Sequence, residues 1–301
     1  MDRKDRIDAL GAGLLIAFAL LMGLNQALVK LVNVGFGPAF QAGLRSAAAF
    51  GPVLIFALVF RRRLSLVDGS FWPGIICGLL FSAEFILVFQ SLDYTTVSRA
   101  SIFFYSMPVW VTIAAHFLLP GERMTATKAI GLVVAVAGVV IALSGNTAPA
   151  TDKALIGDLM ALLAAMLWAG IALMARASKV SRSSPEMLLL YQLAVSAPVM
   201  FAAAWLLGDM VRAPTPEHFA ILAFQALVIV GAAFLTWFWV LSKYPASDVA
   251  SFGFLAPVFG VFFGWLVFDD PITWRLIGAL SLVGVGIVLV NRKSARVTAP
   301  S

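Results

Sequence analysis

Residues 71–92 read FWPGIICGLLFSAEFILVFQSL, and Glu84 is the only charge in the run. On an apolar helix in water a single carboxylate turns outward at little cost. In lipid it cannot, because an ionisable side chain at membrane depth is expensive and needs a partner or a water-filled cavity. The fold therefore turns on which solvent surrounds this run, and the run is long enough to cross a hydrocarbon core of about 30 Å.

The rest of the chain decides for lipid. Its 301 residues are 61% hydrophobic and 12% charged, with mean hydropathy +0.98, against about 45–50% apolar and about 25% charged in soluble domains. The expected fold class is an all-α membrane protein. Ten apolar runs fall at 10–32, 38–60, 71–92, 96–119, 127–145, 155–177, 185–207, 217–241, 246–268 and 273–291, joined by short connections that leave no room for a soluble domain. The net charge of +6 and the pI near 9.8 suggest a polyanion at first sight. Basic residues at the ends of apolar runs serve topology first, so the bilayer is the expected partner and nucleic acid is not. Cys77, the one cysteine, lies inside an apolar run, and His116 and His218 are far apart, so no disulfide, metal or cofactor is expected. The N-terminal MDRKDRIDAL leads into the first run with no small-residue cleavage site, and the first helix is expected to be retained.

Orientation follows from Lys and Arg. One set of connections holds Arg3, Lys4 and Arg6, Arg61 to Arg63, Arg123 and Lys128, Arg176, Lys179 and Arg182, Lys243, and Arg292, Lys293 and Arg296; the other holds only Lys30, Arg99, Lys153, Arg212 and Arg275. The richer set points inward, which makes both termini cytoplasmic. Trp72, Trp274, Tyr94 and Tyr244 fall at the expected interfaces and read as an aromatic belt.

Self-comparison divides the chain into residues 1–148 and 149–301. SRASIFFYSMPVW sets Pro108 in the middle of the fourth run and SDVASFGFLAPVF sets Pro257 in the middle of the ninth, at an offset of 149 that also aligns Ser98 with Ser247 and Phe103 with Phe252. IGLVVAVAGVVIAL from Ile130 matches IGALSLVGVGIVLV from Ile277. Gly11 matches Gly157 and Lys30 matches Arg176, while Pro38 pairs with Pro185 and Arg45 with Gln192. Five helices followed by five more place the second repeat upside down, an arrangement that puts a binding site at the repeat interface near the midplane. The two prolines each remove a backbone hydrogen bond and are either hinges or fixed kinks.

These features resemble the EamA-type ten-helix transporters of the drug/metabolite transporter superfamily. The resemblance rests on the two halves, the prolines in SIFFYSMPVW and ASFGFLAPVF, the acidic turn Pro120-Gly121-Glu122 echoed by Asp269-Asp270, and Leu167-Trp168-Ala169-Gly170 in the sixth run. The first half departs from it, with Met22-Gly23 where the second has Trp168-Ala169. Within the family the chain looks most like bacterial exporters of the YddG type. The resemblance implies export of aromatic and other neutral amino acids across the inner membrane by a monomer.

The polar residues in the runs supply candidates for the site. Only Arg45 and Glu84 lie well inside them, leaving Glu84 as half of a structural pair with Arg45, a substrate- or proton-linked carboxylate, or a residue at a helix end. Gly74, Gly78 and Ser82 form a small-residue series suited to close helix packing. Ser98, Ser101, Tyr105, Pro108 and Thr112 share one face of the fourth run, and a polar stripe in lipid must face protein or water. Met22, Gln26 and Lys30 line a face of the first run that corresponds to Trp168, Ala172 and Arg176; Phe81, Glu84 and Val88 correspond to Val230, Ala233 and Trp237. The expected substrate-binding set is Met22, Gln26, Phe81, Glu84, Ser101, Tyr105, Trp168, Trp237 and Phe254, with Pro108 and Pro257 as hinges and no catalytic residue.

A secondary transporter, an intramembrane enzyme and a channel compete for these features. Glu84 has no second acid in a run core and His116 sits near a run end far in sequence from His218, which counts against an enzyme. No GxxxxGK[ST] motif occurs, so the chain does not hydrolyse ATP. The expectation is downhill export by alternating access. The alternative is proton-coupled efflux of small lipophilic cations or toxic compounds, for which Glu84 is a natural partner.

Overall fold

A computed structural model describes residues 7–118, 125–143, 153–244 and 252–291. Among them the chain is helical apart from one isolated bridge between Phe36 and Val211. The helices are α1 (Ala9–Asn33), α2 (Pro38–Val59), α3 (Phe71–Tyr94), α4 (Val97–Phe104), α5 (Met107–Leu118), α6 (Ala126–Leu143), α7 (Ala154–Ala177), α8 (Pro185–Leu207), α9 (Pro216–Phe224), α10 (Phe234–Lys243), α11 (Leu255–Phe268) and α12 (Trp274–Asn291). Among the described residues seven stretches are long and apolar enough to cross a membrane, and three shorter apolar helices lie at Ala126–Ala142, Leu255–Phe268 and Trp274–Val290. The chain is a multi-pass membrane protein.

Helix starts follow from local chemistry. Asp8 accepts a hydrogen bond from Gly11 N at 2.9 Å, Thr96 from Arg99 N at 3.1 Å and Ser184 from Met187 N at 3.2 Å, each satisfying a backbone donor that has no intrahelical partner. Pro38 and Pro185 occupy first-turn positions where their missing N–H costs nothing. Gly37 before α2 is required by approach: a Cβ there would stand 1.8 Å from the Asp209 carbonyl oxygen.

Neither Pro108 nor Pro257 lies in the middle of a helix. The fourth run breaks at Tyr105 and Ser106 into α4 and α5, and Pro108 is the second residue of α5. Proline cannot donate to residue 104 and disfavours helical backbone at Met107, so the chain stops and restarts. The break is stitched by Ser106, whose hydroxyl donates to Phe103 O at 2.6 Å and accepts from Trp110 Nε1 at 3.0 Å. Pro257 sits in the first turn of α11, which follows a 3-10 turn at Phe252–Phe254. The prolines inside helices are Pro52 of α2 and Pro198 of α8. The eighth run also departs from a plain helix, carrying a π-helical segment, Gln225–Ala233, between α9 and α10.

The helices pack in a closed set. α6 lies against α12, α2 against α8, and α4 against α11; α1 contacts α11, α3 and the π segment, while α7 contacts α3, α4 and α5. Gly74 and Gly78 let α3 reach α8, since a Cβ at either would come within 2.5 Å of Tyr191 or Val195. Ser82 in the same series donates back to Gly78 O at 2.7 Å, which satisfies its hydroxyl within its own helix. The largest apolar core joins Met22, Phe81, Phe89, Phe103, Tyr105, Met200, Ile229 and Val283 from many helices. Trp72 and Trp274 are 72% and 87% exposed, as an interfacial belt requires, but Tyr244 is buried and donates to Asp8 at 2.6 Å. A phenol with a fixed partner fastens the end of α10 to the start of α1.

Candidate functional site

The structure brings four of the expected residues to one place. Where α4 stops, Tyr105 donates its hydroxyl to the Met22 carbonyl at 2.7 Å, and the Gln26 side chain is a second partner. Trp168 of α7 stacks on Phe104 with centroids 5.0 Å apart and planes 19° apart, and meets Tyr105 edge-on at 6.3 Å. Met22, Gln26 and Tyr105 are buried and Trp168 partly so. The broken helix is what points Tyr105 at α1.

The other expected residues divide. Phe81 belongs to the same core and packs on Phe85 at 4.3 Å. Trp237 stacks on Phe18 at 4.7 Å, one turn before Met22 on α1, in a cluster with Leu15, Val240 and Tyr244. The two tryptophans stack on different rings, Phe104 and Phe18. Ser101 faces α11, where a Cβ on Gly260 would lie 2.1 Å from its Oγ, so it marks close helix approach. Its hydroxyl makes no hydrogen bond among the described residues. Thr112 bonds back to Pro108 O at 2.9 Å, so the polar stripe of the fourth run ends at the break. The side chain of Phe254 and the turn Pro120-Gly121-Glu122 lie outside the described residues.

Glu84 and Arg45 are each 2% exposed. They are near enough to bias each other electrostatically, yet no Arg45–Glu84 bridge within 4.0 Å occurs among the ion pairs of the described residues. The guanidinium instead lies over the rings of Phe85 and Phe89, at 4.3 and 4.7 Å from their centroids. Arg45 Nε and Glu84 Oε2 make no hydrogen bond among the described residues. The direct pair considered from the sequence is not formed.

Sequence reasoning missed a pair that is formed. Asp158 of α7, with no exposed surface, receives Arg99 of α4 through both Nε, at 3.2 and 3.1 Å, and Nη2, and also accepts from the Thr95 hydroxyl at 2.7 Å. Lys30 donates to Thr95 O at 2.7 Å, and Asp270 accepts from Ser98 N at 2.9 Å. This network joins the starts of α4 and α7 to the ends of α1 and α11. The available signal was two opposite charges in the first turns of the fourth and sixth runs.

Two cavities lie elsewhere. One of about 410 Å³ runs between α2 and the eighth run, lined by Pro52, Val53, Phe56, Leu227 and Leu235; another of about 360 Å³ is lined by Ala47, Phe50, Leu193, Ala194 and Ala197. Both are apolar surface grooves without the convergent polar groups of a binding site. The Tyr105 cluster is closed in this conformation.

Comparison with known proteins agrees with these features. The EamA-like transporter family model matches residues 9–144 and again 155–292. The uncharacterised transporter YoaV of Bacillus subtilis is 26% identical over 91% of this chain and 94% of its own length. A probable amino-acid metabolite efflux pump of Escherichia coli is 23% identical over 94% of this chain and 93% of its own. A solved crystal structure shares the fold with a TM-score of 0.65 at 21% identity, covering 92% of this chain and 94% of that one. With a match in each half that together span nearly all of its helices, the chain belongs to the EamA-like transporter family of the drug/metabolite transporter superfamily.

Proposed function

We propose that the protein is a secondary transporter that exports aromatic and other neutral amino acids, or related metabolites, across the inner membrane by alternating access and down their gradient. The observation that carries this reading is the cluster at the broken fourth span, where Tyr105, Met22, Gln26 and Trp168 from three helices meet around an interrupted backbone. Ring and amide groups converging beside a helix break suit an amphipathic solute. The name of the E. coli relative, a probable amino-acid metabolite efflux pump, points the same way.

Ten crossings with both termini cytoplasmic, arranged as inverted halves 1–148 and 149–301 in a monomer, belong to the same proposal. The contacts support it: exchanging the halves turns α3·α7 into the eighth span on α1, turns α1·α11 into α7 on the fourth span, and leaves α2·α8, α6·α12 and α4·α11 in place. The two family matches fall one in each half. Under this proposal Pro108 and Pro257 act at the restarts of α5 and α11, where each proline lacks the N–H that would continue the preceding turn.

The test is uptake of labelled Phe into proteoliposomes with and without an imposed pH gradient. Phe is expected to enter without one. Flux that stops when the gradient is collapsed overturns downhill export, and no Phe flux at all overturns the amino-acid assignment. The buried, unbridged Glu84 favours one second reading, proton-coupled efflux of lipophilic cations. Cation flux that needs both the gradient and Glu84, alongside absent Phe flux, would establish it.

A further inference from the structure

Arg45 and Glu84 are buried without an ion pair between them among the described residues. A guanidinium donates in its plane, and the rings of Phe85 and Phe89 take only its faces, so its edge remains to be satisfied. Arg45 Nε and Glu84 Oε2 are both buried with no hydrogen bond among the described residues. Arg99–Asp158 shows how this fold builds a buried pair meant for itself, with two donors of one arginine on one carboxylate and a threonine hydroxyl besides. Nothing comparable joins Arg45 to Glu84, although they lie on contacting helices, α2 and α3.

We infer that Arg45 and Glu84 are the two halves of a zwitterion clamp: the Arg45 edge receives the α-carboxylate of the transported amino acid, and Glu84 receives its α-ammonium. The carboxylate matches the planar donor fork of arginine, and the ammonium offers the donors that an unbridged carboxylate lacks. Two opposite charges held apart take one group of each sign between them. Solutes with a single charge leave one clamp residue buried and unanswered. The side chain of the solute extends toward the aromatic cluster, with Phe81 and Phe85 on α3 linking the two regions. Because the clamp answers the amino-acid backbone, it accepts different neutral side chains and rejects their amine and acid analogues.

This inference rests on the amino-acid reading, and the experiment separates the two. Phe, phenethylamine and 3-phenylpropionate compete against labelled Phe for entry into proteoliposomes carrying the full chain. Each singly charged analogue is expected to compete about 30-fold or more weakly than Phe, the loss of one charge-assisted hydrogen bond. Arg45→Gln is expected to narrow the gap for phenethylamine and Glu84→Gln the gap for 3-phenylpropionate. If either analogue competes as well as Phe in the parent protein, the clamp is overturned while amino-acid export stands. If labelled Phe does not enter at all, the export reading falls and takes the clamp with it. The parent measurements decide both without any variant having to fold.

Discussion

Two buried arginine–carboxylate couples lie among the helices and are built differently. Arg99 and Asp158 are in contact through two donors, with Thr95 completing the carboxylate, and they fasten α4 to α7. Arg45 and Glu84, equally buried, stay apart, with aromatic faces on the arginine and unfilled hydrogen-bonding capacity on both. Desolvating an ion is expensive, and only a well-formed pair with its remaining hydrogen bonds satisfied recovers that cost. The first couple therefore reads as architecture and the second as a site that a solute completes.

Breaking the architectural couple should give the largest effect. Asp158→Ala leaves Arg99 as an uncompensated buried charge, with an expected loss of about 3–5 kcal/mol. The measurement is thermal unfolding in detergent, with Arg99→Leu/Asp158→Leu as the control that restores part of the loss. A variant as stable as the parent would mean that this couple is no more structural than the other.

The converse sharpens the contrast. Arg45→Leu removes a charge that forms no ion pair among the described residues, so stability should be unchanged or higher while Phe flux falls by about tenfold or more. Stability loss equal to that of Asp158→Ala would place Arg45 in the scaffold, where the direct pair considered from the sequence had put it.

Trp168 and Trp237 allow a milder test. Trp168 stacks on Phe104 beside Tyr105, whereas Trp237 stacks on Phe18, one turn before Met22 on α1. Trp168→Ala should reduce Phe flux by about threefold to tenfold more than Thr flux, as loss of an aromatic contact implies. Trp237→Ala should lower both alike. Equal losses of Phe and Thr in Trp168→Ala would remove the tryptophan from the solute's path.

The helical runs were legible because a bilayer demands about 20 apolar residues in a row, and most observed helices begin and end within a few residues of those runs, but the fourth run breaks in two, the eighth is interrupted by the π segment, and the ninth is an α-helix only from Leu255 among the described residues. Pro108 was visible as a disturbance but not as a break, since a proline kinks or interrupts a helix according to what satisfies the freed groups, here Ser106. The π segment at Gln225 left no comparable mark, because its residues read as an ordinary apolar helix. Asp158 went unread for being near a helix end, where a carboxylate normally reaches water. Its burial comes from α4 and Thr95 closing over it, contacts made across 59 and 63 residues of chain. Meanwhile Met22, Gln26, Tyr105 and Trp168 were singled out through helical spacing and the repeat, and what spacing did not supply was the turn at Tyr105 that brings them together.

The smallest expected effect lies outside the membrane and concerns a third, weaker carboxylate. Asp68, in the connection from α2 to α3, accepts from Ser70 N at 2.9 Å and from the Ser183 hydroxyl at 3.4 Å, tying that connection to the one before α8. Hydrogen bonding to Ser70 holds its carboxyl below the ordinary value of 3.8. A depressed carboxylate contributes stability that is present above the unfolded value and is lost as pH falls through the folded one. Asp68 is open to solvent, so screening keeps the contribution small. Proteolysis of this connection should be slightly faster in Asp68→Ala than in the parent near neutral pH, and the two rates should converge in acid below the ordinary carboxylate range. A difference that persists there would mean the charge of Asp68 is not what holds the connection, and a large one would make this exposed contact resemble the buried Arg99–Asp158 couple.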